Sequence, residues 1–280
     1  MSEERRYSLE DLLISRMARE LKGEIVGGAA TFCSMAAVKL AQLLHNPDLI
    51  DMSGGLHHFD SRAPLTLFHT EFLGKQSAKA RVSWGELFLM VFREKFFVWI
   101  GPAQIDQNGN ANISAIGPWA RPKAALVGAR GLPDDSVHLS SMNYHVIDHS
   151  KRTFVPRVDF VCAVGFGPAR ESGEVKSGRP GVVISNLGVF DFDEQSGRMR
   201  LQSLNAGVTL DQVKENTGFD LLLPSVIRET EAPTQTEIAL IRDRIDPLGL
   251  RFLDRMPRPE AAAFLDQLAA REREMFSSRL

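Results

Sequence analysis

Three observations predict an α/β fold. Continuous apolar runs stop abruptly at glycine, as strands covered on both faces do. Apolar stripes at helical spacing lie between them, with capping residues in front. A chain of 280 residues that is 44% hydrophobic can bury a large core, as one domain or as two closely packed lobes.

Ser8 stands as N-cap before Leu9, Leu12, Leu13, Met17 and Leu21, which line one face of a first helix. Glu24 to Val26 reads as a short strand ending in Gly27-Gly28, and Thr31 to Leu44 as a second helix. A strand, glycines and a helix can cradle a phosphate. The chain has neither G-x-G-x-x-G nor G-x-x-x-x-G-K-[ST], so a plain βα turn is expected there. Asp48 to Met52 is the next strand, leading into Ser53-Gly54-Gly55-Leu56-His57-His58. Residues 61–95 read as a loop-rich flap or surface filler, then a buried helix over Trp84 to Phe92 capped by the cations Arg93 and Lys95.

The centre of the chain is more distinctive. Phe96 to Ile100 is an apolar strand that ends at Gly101-Pro102. Between Gln104 and Ser114 come Gln104, Gln107, Asn108, Asn110 and Asn112, amides that both donate and accept, with a turn at Asn108-Gly109. They can line a wall for a polar ligand. Ala124 to Val127 reads as another buried strand, and Gly128-Ala129-Arg130-Gly131 follows with one guanidinium as its only charge. Open α/β sheets bind ligands at the carboxyl ends of such strands.

Further on, Leu132 to Ser141 reads as a loop and Val158 to Gly167 as a buried strand. Glu171 to Arg179 reads as a mobile loop. Pro180 to Asp193 forms a strand pair bent at Asn186 to Gly188, and Met199 to Leu204 alternates as a half-buried strand does. Thr209 to Gln212 and Thr234 to Glu237 are capping boxes, opening helices that run to Asn216 and Arg244. Residues 1–257 form the main domain and 258–280 a helical extension, with Ala262, Phe264, Leu265 and Leu268 on one face.

Composition excludes several classes. A net charge of −2 with scattered Lys and Arg lacks the basic footprint of a nucleic-acid binder. Cys33 and Cys162 both sit in apolar segments, which suits a reducing compartment better than a disulfide scaffold. The amino-terminal residues carry no long apolar stretch, so no membrane partner and a cytoplasmic location are expected. His57, His58, His145 and His149 offer a metal-like set without H-E-x-x-H. Hydrogen-bonded structural histidines and no metal are expected.

The run from Gly101 to Gly117 resembles the signature of class I coenzyme A-transferase β subunits of the glutaconate kind. The likeness continues through His149 to Phe154, Val158-Asp159, Val183 to Phe192, Asn216 to Asp220 and Ile245 to Pro247, and covers residues 8–250. Within that family, Asn112 to Pro118, Val127 to Gly131 and Ser185 to Phe192 are similar to the steroid ring-cleaving branch of CoA-thioester hydrolases. The resemblance implies a three-layer αβα sandwich with a mixed, mainly parallel sheet. It also implies an α subunit of the same fold, within an α2β2 assembly. Coenzyme A enters as part of a thioester substrate, and no cofactor is bound covalently.

In the transferases, a glutamate before Ser-Gly attacks the acyl-CoA and carries CoA as a glutamyl thioester. Here Met52 occupies that place, before Ser53 and Gly54, and a thioether cannot form an acyl intermediate. Asp51 could replace it only if the strand slipped by one residue, because neighbours on a strand face opposite ways. The resemblance therefore implies hydrolytic carbon–carbon ring opening of a carboxylated cyclic-ketone CoA thioester, with the water-positioning acid in the α subunit. Arg130 replaces a transferase glycine and is the expected catalytic residue of this chain. Gln104, Asn110, Asn112, Gly128, Ala129, Gly131, Ser53 and Gly54 are expected to bind CoA or substrate. A CoA-transferase subunit and a non-catalytic CoA-binding subunit are the rival readings.

Overall fold

A computed structural model describes residues 6–22, 25–52, 60–67, 76–91, 96–139, 141–175 and 177–277. The chain divides into two compact units, Met1–Leu87 with Ala232–Leu280, and Phe88–Glu231.

The first unit begins with helix α1 (Leu9–Glu20), where Ser8 and Asp11 close a capping box. Its inward face, Leu12, Leu13, Ile14, Met17 and Ala18, is buried. Strand β1 (Ile25–Ala29), helix α2 (Phe32–Leu40) and strand β2 (Ile50–Asp51) form a parallel β-α-β unit. Thr31 caps α2, and the helix widens into a π-type turn over Ala41–His45. The first amides of α2 do not await a phosphate. Those of Phe32 and Cys33 donate to the two carboxylate oxygens of Asp254 at 2.9 and 2.7 Å. Thr234 caps the helix Gln235–Ala239, as its capping box predicts. The final helix, Arg258–Ser277, docks on this unit through fully buried Leu268 and through Glu272, which accepts the Leu67 amide at 2.8 Å.

Helix α3 (Trp84–Val91) forms where predicted, but Leu89 is 65% exposed, so the helix is not buried on all sides. The predicted cation cap, Arg93 and Lys95, lies outside the described residues.

In the second unit, β3 (Phe96–Ile100) carries buried Phe96, Val98 and Trp99. Two small ribbons follow: β4 (Gln104–Ile105) with β5 (Ala111–Asn112), then β6 (Ala115–Ile116) with β7 (Ala124–Ala125). The sheet is completed by β8 (Ser141–Val146), β9 (Pro180–Ser185), β10 (Gly188–Phe192), β11 (Met199–Leu204) and β12 (Arg228–Glu229). Their order is β3-β8-β9-β10-β11-β12. The β3–β8, β8–β9 and β11–β12 pairings are parallel, and β9–β10 and β10–β11 antiparallel, giving a mixed, mainly parallel sheet.

Four expectations change here. Ala124 to Val127 is not a buried strand: only two residues pair, in a ribbon outside the main sheet, and Val127 is 62% exposed. Residues 132–138 are a helix, α4 (Leu132–His138), with Pro133 inside its first turn and Asp134 and Asp135 at its positive end. Val158 to Gly167 forms no strand. It runs beside the β4–β5 ribbon with one bridge, Ala111 to Ala163, and buries Cys162 and Ala163 while Val161 stays exposed. The 171–179 loop is tied down by Arg170, whose guanidinium donates to carbonyls of Ser136, Val164, Gly165, Ser177 and Gly178.

Candidate active site

The β4–β5 ribbon closes through Asp106, whose Oδ1 accepts the amides of Asn108 and Asn110, both at 3.0 Å. Gly109 has φ 79°, and a Cβ there would meet Phe192 and Pro180 at 2.7 and 2.8 Å, so both backbone and packing demand glycine. The side chains behind this turn form a closed network. Gln104 Nε2 donates to Asp159 at 2.9 Å, and its Oε1 accepts Asn112 Nδ2 at 2.8 Å and the Asp159 amide at 3.0 Å. Asn112 Nδ2 also donates to the Ala115 carbonyl at 2.7 Å, while its Oδ1 accepts the Ser114 amide at 2.9 Å. Asn110 donates to Asp106 and accepts the Gly165 amide at 2.8 Å. These amides were expected to face CoA or substrate. Their polar atoms are instead engaged by the protein, so Gln104, Asn110 and Asn112 shape the ribbon rather than offer free groups.

The turn after β7 is the opposite case. Gly128 has φ 86° and open space where a Cβ would stand. Arg130 has φ 51°, a left-handed conformation that costs a non-glycine residue about 1 kcal/mol or more. Its side chain is exposed and has no hydrogen bond or ion pair among the described residues. The amides of Gly128, Ala129, Arg130 and Gly131 likewise have no backbone acceptor among the described residues. A guanidinium and four amides are thereby collected on one strained turn, a donor set suited to developing negative charge.

Gly131 opens α4, and the Asp135 carboxylate lies 3.5 Å from where a Gly131 Cβ would stand. Burial, and then the charge of Asp134, push Asp135 up to about 6. No ion pair joins it to Arg130 among the described residues. The reading of this segment as a loop hides Asp135, although Pro133 followed by two acids is a helix-start signature.

Met52 is buried at the end of β2. The preceding Asp51 is also buried and turns toward α2, with its carboxylate 3.6 Å from Lys39 Nζ. Ser53, Gly54, His57 and His58 lie outside the described residues. His145 belongs to strand β8, so its spacing to His149 is not helical. His149 stacks on Phe154 with ring centres 3.6 Å apart, and its nitrogens sit 2.9 Å from Ser185 Oγ and Thr217 Oγ1. Thr217 donates its own proton to the Val213 carbonyl at 2.7 Å. Nε2 must therefore carry the ring hydrogen, and burial holds the neutral imidazole with a pKa lowered to about 3.

Residues 95–216 match the family model for coenzyme A transferase. Over 239 residues the chain is 35% identical to the cholesterol ring-cleaving hydrolase IpdB subunit of Mycobacterium tuberculosis, covering 82% of this chain and 90% of that protein. The chain belongs to the coenzyme A transferase family. One of the subunits of the Acidaminococcus fermentans glutaconate CoA-transferase is 28% identical over 90% of this chain and 97% of its own length. The crystal structure of Rhodococcus jostii IpdAB superposes with a TM-score of 0.77 at 30% identity, covering 90% of this chain and all of that one. The coenzyme A transferase fold, an α/β sandwich, is thus the fold of this chain. The Arg130 turn lies inside the matched stretch, whereas Met52 precedes it.

Proposed function

We propose that this chain is the β subunit of a heteromeric, α2β2 CoA-thioester enzyme that opens a carboxylated cyclic ketone by hydrolysing a carbon–carbon bond, in steroid breakdown. What supports the reading is the thioether of Met52 at the position where the resemblance places the transferases' acid. Asp51 does not replace that acid, because its carboxylate faces Lys39. The identity to the ring-cleaving IpdB subunit supports the same reading.

In this scheme water, positioned by an acid of the companion subunit, adds to the ring carbonyl. The bond to the carbon next to the thioester breaks, and its electron pair passes into the thioester as an enolate. That carbon then takes a proton, leaving a ring-opened carboxylate. Arg130 and the amides of Gly128 to Gly131 hold the developing oxyanion. A positioned donor of this kind contributes about 10²- to 10³-fold to turnover. Gln104, Asn110 and Asn112 position the ribbon, and Ser53 and Gly54 contact the CoA arm. Coenzyme A enters and leaves as part of the substrate, with no covalent cofactor. Two buried free thiols suit a cytoplasmic enzyme, and no helix among the described residues is long and apolar enough to cross a membrane.

Incubation of the αβ complex with its thioester in ¹⁸O water tests the proposal. The expected result is one labelled oxygen in the new carboxylate and no hydroxylamine-sensitive thioester on this chain. A thioester trapped on this chain would instead make it a CoA-transferase subunit.

A further inference from the structure

The β6–β7 ribbon of the second unit carries apolar side chains that this chain leaves uncovered. Every residue from Pro118 to Val127 is exposed, and the run includes Trp119 at 67%, Leu126 and Val127. The Trp119 ring stacks on Phe160 with centres 4.8 Å apart. Ser114 draws the other members together. Its carbonyl accepts the Leu126 amide at 2.9 Å, and its hydroxyl lies 3.0 Å from the sulfur of Cys162, which follows exposed Val161. Large apolar side chains gathered in this way on a surface mark a place of contact with another molecule.

The backbone beneath these side chains is fixed, although only two residue pairs join β6 to β7. A two-stranded hairpin of that size is marginal in water by itself. Here the Lys123 amide donates to the Ile116 carbonyl at 2.8 Å, the Arg121 amide to the Pro118 carbonyl at 3.0 Å, and the Gly117 amide to the Asp159 carboxylate at 2.9 Å. A shaped tip that holds a tryptophan outward is an anchor with little ordering entropy left to lose on contact. Charge says what it meets. From Pro118 to Gly131 the only charged residues are Arg121, Lys123 and Arg130, in a chain whose net charge is −2. None of the three has an ion pair among the described residues. A two-fold contact with a second copy would set these cations against their own equivalents. Their complement is an apolar pocket rimmed by carboxylates.

We infer that residues 118–127 are the docking surface for the companion α subunit, with Trp119 as the anchor and carboxylates of that subunit on Arg121 and Lys123. The inference rests on the heteromeric reading above, in which the companion brings a water-positioning acid to face Arg130. Val127 stands three residues before Arg130 and Leu126 four, so a body that carries an acid to that turn covers the ribbon leading into it. One surface then serves both assembly and the site: the ribbon seats the companion, and the turn after it meets the companion's carboxylate.

Photo-crosslinking of the assembled complex, with p-benzoylphenylalanine in place of Trp119, tests the docking. The expected product is an adduct with the mass of one α and one β subunit. An adduct of two copies of this chain, or no adduct between chains, would overturn the inference. Sedimentation of the complex on dilution gives a second reading. Trp119→Ala should raise the αβ dissociation constant about 30-fold, and Trp119→Phe should raise it less. Arg121→Glu should raise it about tenfold at low salt, with the difference shrinking as salt is added. Dissociation constants that match wild type in all three variants would contradict it equally. Neither measurement reads turnover, so a complex that proves to transfer CoA instead of opening a ring leaves the docking surface standing.

Discussion

The β4–β5 ribbon and the turn at residues 128–131 are both polar and both lie in the family-matched stretch, yet their side chains are treated in opposite ways. In the ribbon, Gln104, Asn110 and Asn112 satisfy one another, Asp106, Asp159 and the backbone. In the turn, Arg130 and the surrounding amides have no protein acceptor among the described residues, and the backbone at Arg130 is strained. Closed networks hold shape, because breaking one member orphans the others. Open donors on a strained turn are available for chemistry.

Breaking the closed side should be felt as lost stability. Asn112→Ala removes a fully buried side chain, orphans the Ser114 amide and leaves Gln104 Oε1 with one donor, the Asp159 amide, instead of two, which should cost about 2 kcal/mol in denaturant unfolding. Refolded protein should retain Arg130-dependent turnover per folded molecule.

The His149 site sharpens the same contrast through pH. With its pKa lowered to about 3 in the fold against 6.5 unfolded, the unfolded chain binds this proton first. Its stabilising effect is fully present above pH 6.5 and is lost as pH falls toward 3. Thermal melts across that window should show the slope, and His149→Gln should flatten it.

Asp135 supplies the smallest effect and the opposite sign. Its pKa is raised from 3.8 to about 6, so the folded state keeps the proton longer than the unfolded chain. The group therefore destabilises progressively from about pH 4 to 6 and remains destabilising above. Asp135→Asn should raise the melting temperature at about pH 7 and leave it unchanged at about pH 3.5.

Much of this molecule is legible in its sequence where short-range rules decide. The N-cap at Ser8 and the capping boxes at Thr209 and Thr234 all form, because each needs only residues three apart. The β9–β10 pair and strand β3 follow from continuous apolar runs. Ala124 to Val127 misleads for the converse reason: apolar composition does not say whether a sheet exists to cover it. The polar ribbon misleads differently. Five amides between Gln104 and Ser114 announce hydrogen bonding, but only the fold reveals that Asp159 and Gly165 return to accept and donate. Arg130 is the reverse case, a lone charge among glycines whose isolation in the sequence persists in space.

The account rests most directly on turnover of the reconstituted complex with Arg130→Gln. Loss of the guanidinium should lower kcat by about 10²- to 10³-fold while the melting temperature stays within about a degree of wild type, since the side chain is exposed and makes no contact among the described residues. An unchanged kcat would contradict it, and so would a loss of turnover that merely follows a loss of folded protein.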